Sequence, residues 1–306
     1  MGCQAPLSIK YKQPIINKKG DWIYYFPADC GKCLPCLKKR KAQWSYRLEN
    51  EMLHSVTAYF VTLTYNDDNL PPGNVVERQH HQSFIGLLKE YESWPQMEMR
   101  PDHSEGEFLR AARKTGEYAN NYRYDDYPIR YYGICEFGGL SGRVHWHYLI
   151  FNVLDIRNIE KAWQCGNIQI DECNINTVDY VLKYMIKDRD SNIPDEKREC
   201  SFMSKGIGMQ GITEEFIKQI SEPENNQVIN SRGHKVALPR IYRKRYMNKE
   251  TLREKGKVIS TIVQEQKAIL DKKTIALGLD PDENHIVKVE LDRKKLSESI
   301  NRRQKL

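Results

Sequence analysis

Read as a pattern of apolar and polar positions, the chain changes period several times. Ala58–Tyr65, Ile129–Phe137 and Arg143–Phe151 are rich in β-branched and aromatic residues, as strands are. The last of these, R-V-H-W-H-Y-L-I-F, follows Gly142. Gly138, Gly139, Ser141 and Gly142 read as the hairpin turn that joins it to the run before. Alternate residues of a strand point to opposite faces. His145, His147, Leu149 and Phe151 therefore share one face, and Val144, Trp146, Tyr148 and Ile150 the other.

Helical spacing predicts helices over Leu37–Val56, Val75–Tyr91, Asp155–Trp163, Asn176–Asp188, Thr213–Ile220 and Lys249–Lys273, with one more strand at Gly166–Ile170. Trp44, Leu48 and Met52 form one packing stripe of the first helix, whose first half is basic. Phe84, Leu87, Leu88 and Tyr91 point inward from the second, with His80 and His81 read as surface residues. In the fourth, Val178, Leu182, Met185 and Ile186 give the apolar stripe, with Asn176 or Thr177 as the cap. The order strand, helix, strand, strand, helix, strand, helix predicts an α+β fold with a central antiparallel sheet and flanking helices.

Around it lie a cysteine-rich N-terminal segment (1–56) and a basic C-terminal region (211–306), leaving 57–210 as the central domain. Residues 1–29 read as irregular or short-stranded, with a strand at Trp22–Phe26. Glu92–Tyr127 reads as a polar insertion, covering the active face or touching nucleic acid. Ser191–Gly211 reads as a loop, Ser221–Gly233 as polar and mobile, and 281–306 as a solvated helix or tail. Lys235–Tyr246 interleaves cations with aromatic rings, which suits contact with a nucleic-acid backbone and stacked bases, or a strand edge with long side chains lying along it.

The 306 residues carry 48 Lys and Arg against 41 Asp and Glu, a net +7. That modest excess suits a protein meeting a polyanion over part of its surface. The expectation is a chain without a secretory leader or a membrane span, since no apolar run approaches the ~18–20 residues required. In a reducing cytoplasm, Cys30-x-x-Cys33-x-x-Cys36 reads as three ligands of a structural Zn²⁺ site rather than as part of a disulfide framework.

The His145/His147 pair could hold one divalent cation through neutral ring nitrogens, and the hairpin could bring Glu136 beside it. Mg²⁺ or Mn²⁺ suits such a mixed set, and the bland alternative is a buried strand with two satisfied histidines. Tyr180 and Tyr184, at i and i+4, share a helix face, with Lys183 and Lys187 near it; packing tyrosines would look the same.

His-hydrophobic-His followed by a helix with Tyr180-x-x-Lys183-Tyr184 resembles the HUH superfamily of single-strand nucleases. Within it the chain is similar to the rolling-circle replication initiators of Microviridae, small single-stranded DNA phages, and most to their gokushovirus branch. The strand Phe60–Tyr65, the run Phe202-Met203-Ser204-Lys205-Gly206-Ile207-Gly208 and the cysteine segment with its basic W-x-x-R helix extend the likeness over roughly residues 1–210.

The resemblance implies a metal on Glu136, His145 and His147, Tyr180 and Tyr184 as alternating nucleophiles, and Lys183 as their helper. It implies Cys3 as the fourth zinc ligand, with His54 as the alternative. It also implies single-stranded DNA at a phage origin as substrate, a host polymerase and helicase as partners, and the host bacterial cytoplasm as location. A plasmid initiator, relaxase or transposase would share these residues. A zinc-dependent nucleic-acid-binding protein without catalysis would use them structurally.

Overall fold

The computed structural model describes residues 3, 6–16, 20, 22–92, 128–138, 142–183, 200–281, 283, 287 and 291. The chain divides into two compact units. One comprises residues 48–181 and 188–210; the other comprises 1–47, 182–187 and 211–306.

The first of these units is built on a five-stranded sheet. Its elements are β3 (Ala58–Tyr65), α2 (Arg78–Glu92), β4 (Arg130–Phe137), β5 (Val144–Phe151), α3 (Ile156–Ala162), β6 (Gly166–Glu172), α4 (Ile175–Leu182) and β7 (Cys200–Met203). The strand order is β6-β3-β5-β4-β7, and every pairing is antiparallel. This is the mixed α+β architecture that the alternating periods imply. The hairpin between β4 and β5 closes through Gly142 N–H donating to Gly138 O at 2.8 Å, with Gly142 at φ 64°. Asn74 clips it from outside: its Nδ2 donates to Gly142 O (2.6 Å) and its Oδ1 accepts from Val144 N–H (2.8 Å).

The strands alternate as their sequences demand. One face carries Val61, Leu63, Tyr65, Cys135, Val144, Trp146, Tyr148 and Ile150, all buried against Phe84, Ile85 and Leu88 of α2 and Ile159, Ala162 and Trp163 around α3. Burying such side chains contributes roughly 1.5–3 kcal/mol each. Gly133 lies beneath the Tyr148 ring. A Cβ there would come within 2.3 Å of that ring, so only glycine lets the two strands pack.

His81 corrects the surface reading. Because α2 begins at Arg78, His81 sits one turn before Phe84 and Ile85 on the inner stripe and is 5% exposed. Its ring stacks on Phe202 with centroids 4.3 Å apart, and its Nδ1 meets the Tyr148 hydroxyl at 2.8 Å. His80 is half-buried, near the Tyr65 hydroxyl.

The segment read as a loop contains β7, which pairs Tyr132–Cys135 with Met203–Cys200. Four residues are too short for an alternating signal to stand out. Beyond β7, the glycine-containing turn is fastened by α1 (Leu34–Leu53), whose last residues belong to this unit. Asn50 Nδ2 donates to Gly208 O and Gln210 O, while fully buried Glu51 accepts from Gly208 N–H and Arg130 Nε. The Gly208 N–H is thus engaged by a carboxylate, and the turn is a packed junction.

The other unit opens with a two-stranded ribbon, β1 (Leu7–Ile16) against β2 (Trp22–Ala28), more regular than the sequence suggests. The first 14 residues of α1 follow. Its later elements are α5 (Glu214–Ser221), β8 (Gln227–Ile229), β9 (Lys235–Ala237), α6 (Arg240–Tyr246) and α7 (Lys249–Ala276). The β8–β9 hairpin corrects the expectation of a mobile polar stretch there. Lys235–Tyr246 forms one short strand and a helix. Tyr242 is fully buried, edge-on to Tyr46 and Phe216, so its ring faces inward, while Arg240, Lys244 and Arg245 are exposed and Arg243 is half-buried. Glu92, expected to open the polar insertion, instead ends α2 and is buried; the rest of that reading, 93–127, and most of 281–306 fall outside the described residues.

Candidate functional site

The second face of the sheet carries the candidate chemistry, and strand register decides what meets there. Glu136 of β4 lies directly across from His145 of β5, and Thr62 of β3 directly across from His147. Directly opposed residues point to the same face of a sheet. Glu136 Oε1 therefore sits 2.9 Å from His145 Nε2 and 2.8 Å from His147 Nε2. The two imidazoles are nearly perpendicular, with centroids 4.9 Å apart. Glu136 and His147 are buried, and His145 is half-buried.

The far side of each ring is also engaged. His145 Nδ1 is 3.1 Å from Arg143 O, and His147 Nδ1 is 2.9 Å from Thr62 Oγ1. A carbonyl oxygen only accepts, so His145 Nδ1 carries a proton and, in the neutral ring, Nε2 presents its lone pair. The Thr62 hydroxyl can accept likewise from His147. Two ring lone pairs and a carboxylate oxygen so close together call for a positive charge among them, either a proton or a cation. Their ligand atoms lie within 4.8 Å of one another, a spacing that one divalent ion can bridge.

Tyr180 approaches this cluster from α4. The helix starts one position before the expected caps. Asn174 Oδ1 accepts from Asn176 and Thr177 N–H, and Thr177 Oγ1 accepts from Asn174 N–H, a reciprocal cap. Val178, Val181 and Leu182 are fully buried, which fixes the helix rotation and leaves Tyr180 38% exposed. The Tyr180 ring stands edge-on to His147, with centroids 5.2 Å apart at 88°. Phe60 of β3 flanks both, 5.8 Å from Tyr180 and stacked at 5.6 Å on His147. One phenol, two imidazoles and one carboxylate thus share a single face. Tyr184 lies outside the described residues, as do Lys187, Met185 and Ile186. Lys183 is the last described residue after α4 and is grouped with the other unit.

Sequence reasoning did not single out Thr62 as a histidine partner, nor Phe60 as a neighbour of Tyr180. Strand alternation puts Thr62 and Thr64 on one face of β3. The pairing register that selects Thr62 is a long-range property.

In the other unit the four cysteines converge. Sγ atoms of Cys3, Cys30, Cys33 and Cys36 all lie within 4.8 Å of one another. Cys33–Cys3 and Cys30–Cys36 are 3.8 and 4.0 Å apart, far beyond the ~2.05 Å of a disulfide. Burial pushes the Cys30 thiol up, but the N–H groups of Lys32 and Cys33 donate to it and, with Cys3 and Cys33, bring it down to about 6. A thiolate at this spacing is the donor type that zinc takes. His54 instead sits near the end of α1, with Nδ1 on Asn50 O.

Residues 96–189 match the family model of the replication-associated protein ORF2/G2P. That segment contains Glu136, His145, His147, Tyr180, Lys183 and Tyr184. The chain is 22% identical over 247 residues to the replication-associated protein ORF4 of Chlamydia phage 1, covering 72% of this chain and 53% of that protein. It is 23% identical over 264 residues to the replication-associated protein VP4 of Bdellovibrio phage phiMH2K, covering 80% and 74%. The chain thus spans about half the length of the Chlamydia phage relative. No solved structure matches it. Over the site-bearing segment the chain is thus similar to the ORF2/G2P replication-associated proteins, and over most of its length to two phage replication-associated proteins.

Proposed function

We propose that the chain initiates phage DNA replication by cutting one strand at the origin through a tyrosine. The observation that carries this reading is the half-exposed Tyr180 ring beside His147, at the margin of the Glu136–His145–His147 cluster. Those three residues would hold Mg²⁺ or Mn²⁺. When bound, the ion draws electron density from a phosphate oxygen and so makes phosphorus easier to attack.

The chain supplies the rest. A free phenol has pKa about 10 and is a weak nucleophile at neutral pH, so Tyr180 needs help to lose its proton. Lys183, three residues on, is the proposed cation for the oxygens around it. The Tyr180 oxygen bonds to phosphorus, the bond from phosphorus to the 3′ oxygen breaks, the phenolic proton is released, and the 3′ oxygen takes one up. The products are a 5′-phosphotyrosine and a free 3′-hydroxyl. Because the phosphodiester energy is kept in the new bond, a later attack by a 3′-hydroxyl rejoins the strand without ATP.

Tyr184, one helical turn further, is the proposed second nucleophile, so that one tyrosine can cut while the other holds an end. The 3′-hydroxyl would prime a host polymerase, and a host helicase would part the strands. The setting is the host bacterial cytoplasm. Among the described residues no helix is long and apolar enough to cross a membrane. Cys3, Cys30, Cys33 and Cys36 would hold a structural Zn²⁺ that ties the foot of the β1–β2 ribbon to the start of α1.

The test is incubation of a labelled single-stranded oligonucleotide from the genome's origin with the protein and Mn²⁺. The reading predicts a shortened strand with a free 3′-hydroxyl, formed with the ion and not without it. An intact oligonucleotide under both conditions would contradict it.

A further inference from the structure

In the unit that holds the cysteines, α6 has a charge pattern that its own fold does not balance. Arg240, Arg243 and Lys244 stand at i, i+3 and i+4 and so share a helix side, where like charges repel. The helix contains no acidic residue. Its C-terminal dipole favours cations in the last turn and accounts for part of this.

The dipole does not account for Arg243. Its Nε is sealed from solvent and has no hydrogen-bond partner among the described residues, and its guanidinium is partly desolvated beside Arg240, which lowers its proton affinity. Lys255 of α7, only 2% exposed, lies close enough to Arg243 to be depressed in turn, after the larger effect of its own burial. Lys255 Nζ donates to two carbonyls, Glu222 O and Asn225 O, and the Glu222 carboxylate offsets only part of the effect of burial and of Arg243. Asp29 acts on Arg243 in the opposite sense, but its carboxylate is paired with Lys39 at 2.7 Å.

Leaving one N–H of a cation buried without an acceptor costs more than leaving a neutral N–H so, and the rest of the half-buried guanidinium is open to a negative partner. A guanidinium is also the side chain best shaped to take a phosphate through paired N–H groups. We infer that Arg243, with Arg240 beside it, forms a backbone-phosphate site for single-stranded DNA outside the nuclease face. The inference rests on the DNA-binding reading of the chain but not on its chemistry. Such a contact fixes how the strand lies and carries no base information. Tyr242, facing the interior, adds no stacking to it.

The test uses the full chain and a fluorescent oligodeoxythymidylate without added magnesium or manganese, with affinity read by anisotropy over a range of salt. Each phosphate neutralised on a single strand adds about 0.7 to the slope of log affinity against log salt. Arg243→Gln is expected to flatten the slope by about that amount and to weaken binding several-fold, equally for unrelated sequences. Arg240→Gln, at an exposed position, is expected to do the same and carries the test if the buried substitution impairs folding. Wild-type binding with unchanged slope and affinity in the folded variants would overturn the site. No binding by the wild-type chain would overturn both this site and the DNA-binding reading.

Discussion

His147 and Tyr180 meet edge to face, with ring centroids 5.2 Å apart and planes at 88°. The contact joins a strand to a helix that begins 24 residues after that strand ends, and only the folded sheet brings them together. It puts a half-exposed phenol beside a buried imidazole whose Nε2 faces Glu136.

The orientation of that imidazole depends on Thr62. Replacing Thr62 by Val keeps the β-branched shape and removes the oxygen at 2.9 Å from His147 Nδ1. Loss of such an outer partner typically costs 10–100-fold in metal affinity. Thr62→Val is expected to weaken Mn²⁺ binding by about that range, and Thr62→Ser to restore most of it, both read by isothermal titration. Equal affinity in all three proteins would mean that Thr62 does not orient the ring.

The four-cysteine cluster should hold one zinc per chain. The expected outcome is one equivalent by elemental analysis, lost in Cys33→Ser. That variant should also be cut faster by protease within residues 1–47, because a two-stranded ribbon is marginal without further support. Metal content unchanged by the substitution would show that the cysteines bind none.

His81 makes a pH prediction. Burial lowers its pKa from 6.5 to about 4, so the fold holds the neutral ring. Between those values the unfolded chain takes up a proton that the folded one refuses. The stability is therefore complete above pH 6.5 and falls as the pH drops toward 4, by about 3 kcal/mol in all. Denaturant midpoints measured across this window should fall in the wild type. The fall should be shallower in His81→Phe, which has no group to titrate there.

Much of this was legible before the fold was known, for a physical reason. Period-2 alternation fixes a strand's two faces, so the shared face of His145 and His147 follows from R-V-H-W-H-Y-L-I-F alone, and the glycines after Phe137 imply the hairpin. The element order gave the α+β class. What stayed hidden depends on long-range pairing. The Thr62–His147 partnership needs the β3–β5 register, and β7 is too short to announce itself. His81 looked exposed because adjacent histidines suggest a polar face, whereas one of them completes a stack with Phe202 and Tyr148. Glu51 looks like a helix surface carboxylate and Glu92 like the start of a polar insertion, yet Glu51 holds Arg130 and Gly208 N–H, and Glu92 accepts from Leu154 and Asp155 N–H.

The most direct measurement is the site of covalent attachment. The protein is reacted with a single-stranded origin oligonucleotide and Mn²⁺, digested, and its nucleotide-bearing peptide sequenced by mass spectrometry. The account predicts the nucleotide on Tyr180 or Tyr184, and no adduct from the Tyr180→Phe/Tyr184→Phe double variant. An adduct on any other residue, or one that survives in the double variant, would contradict it.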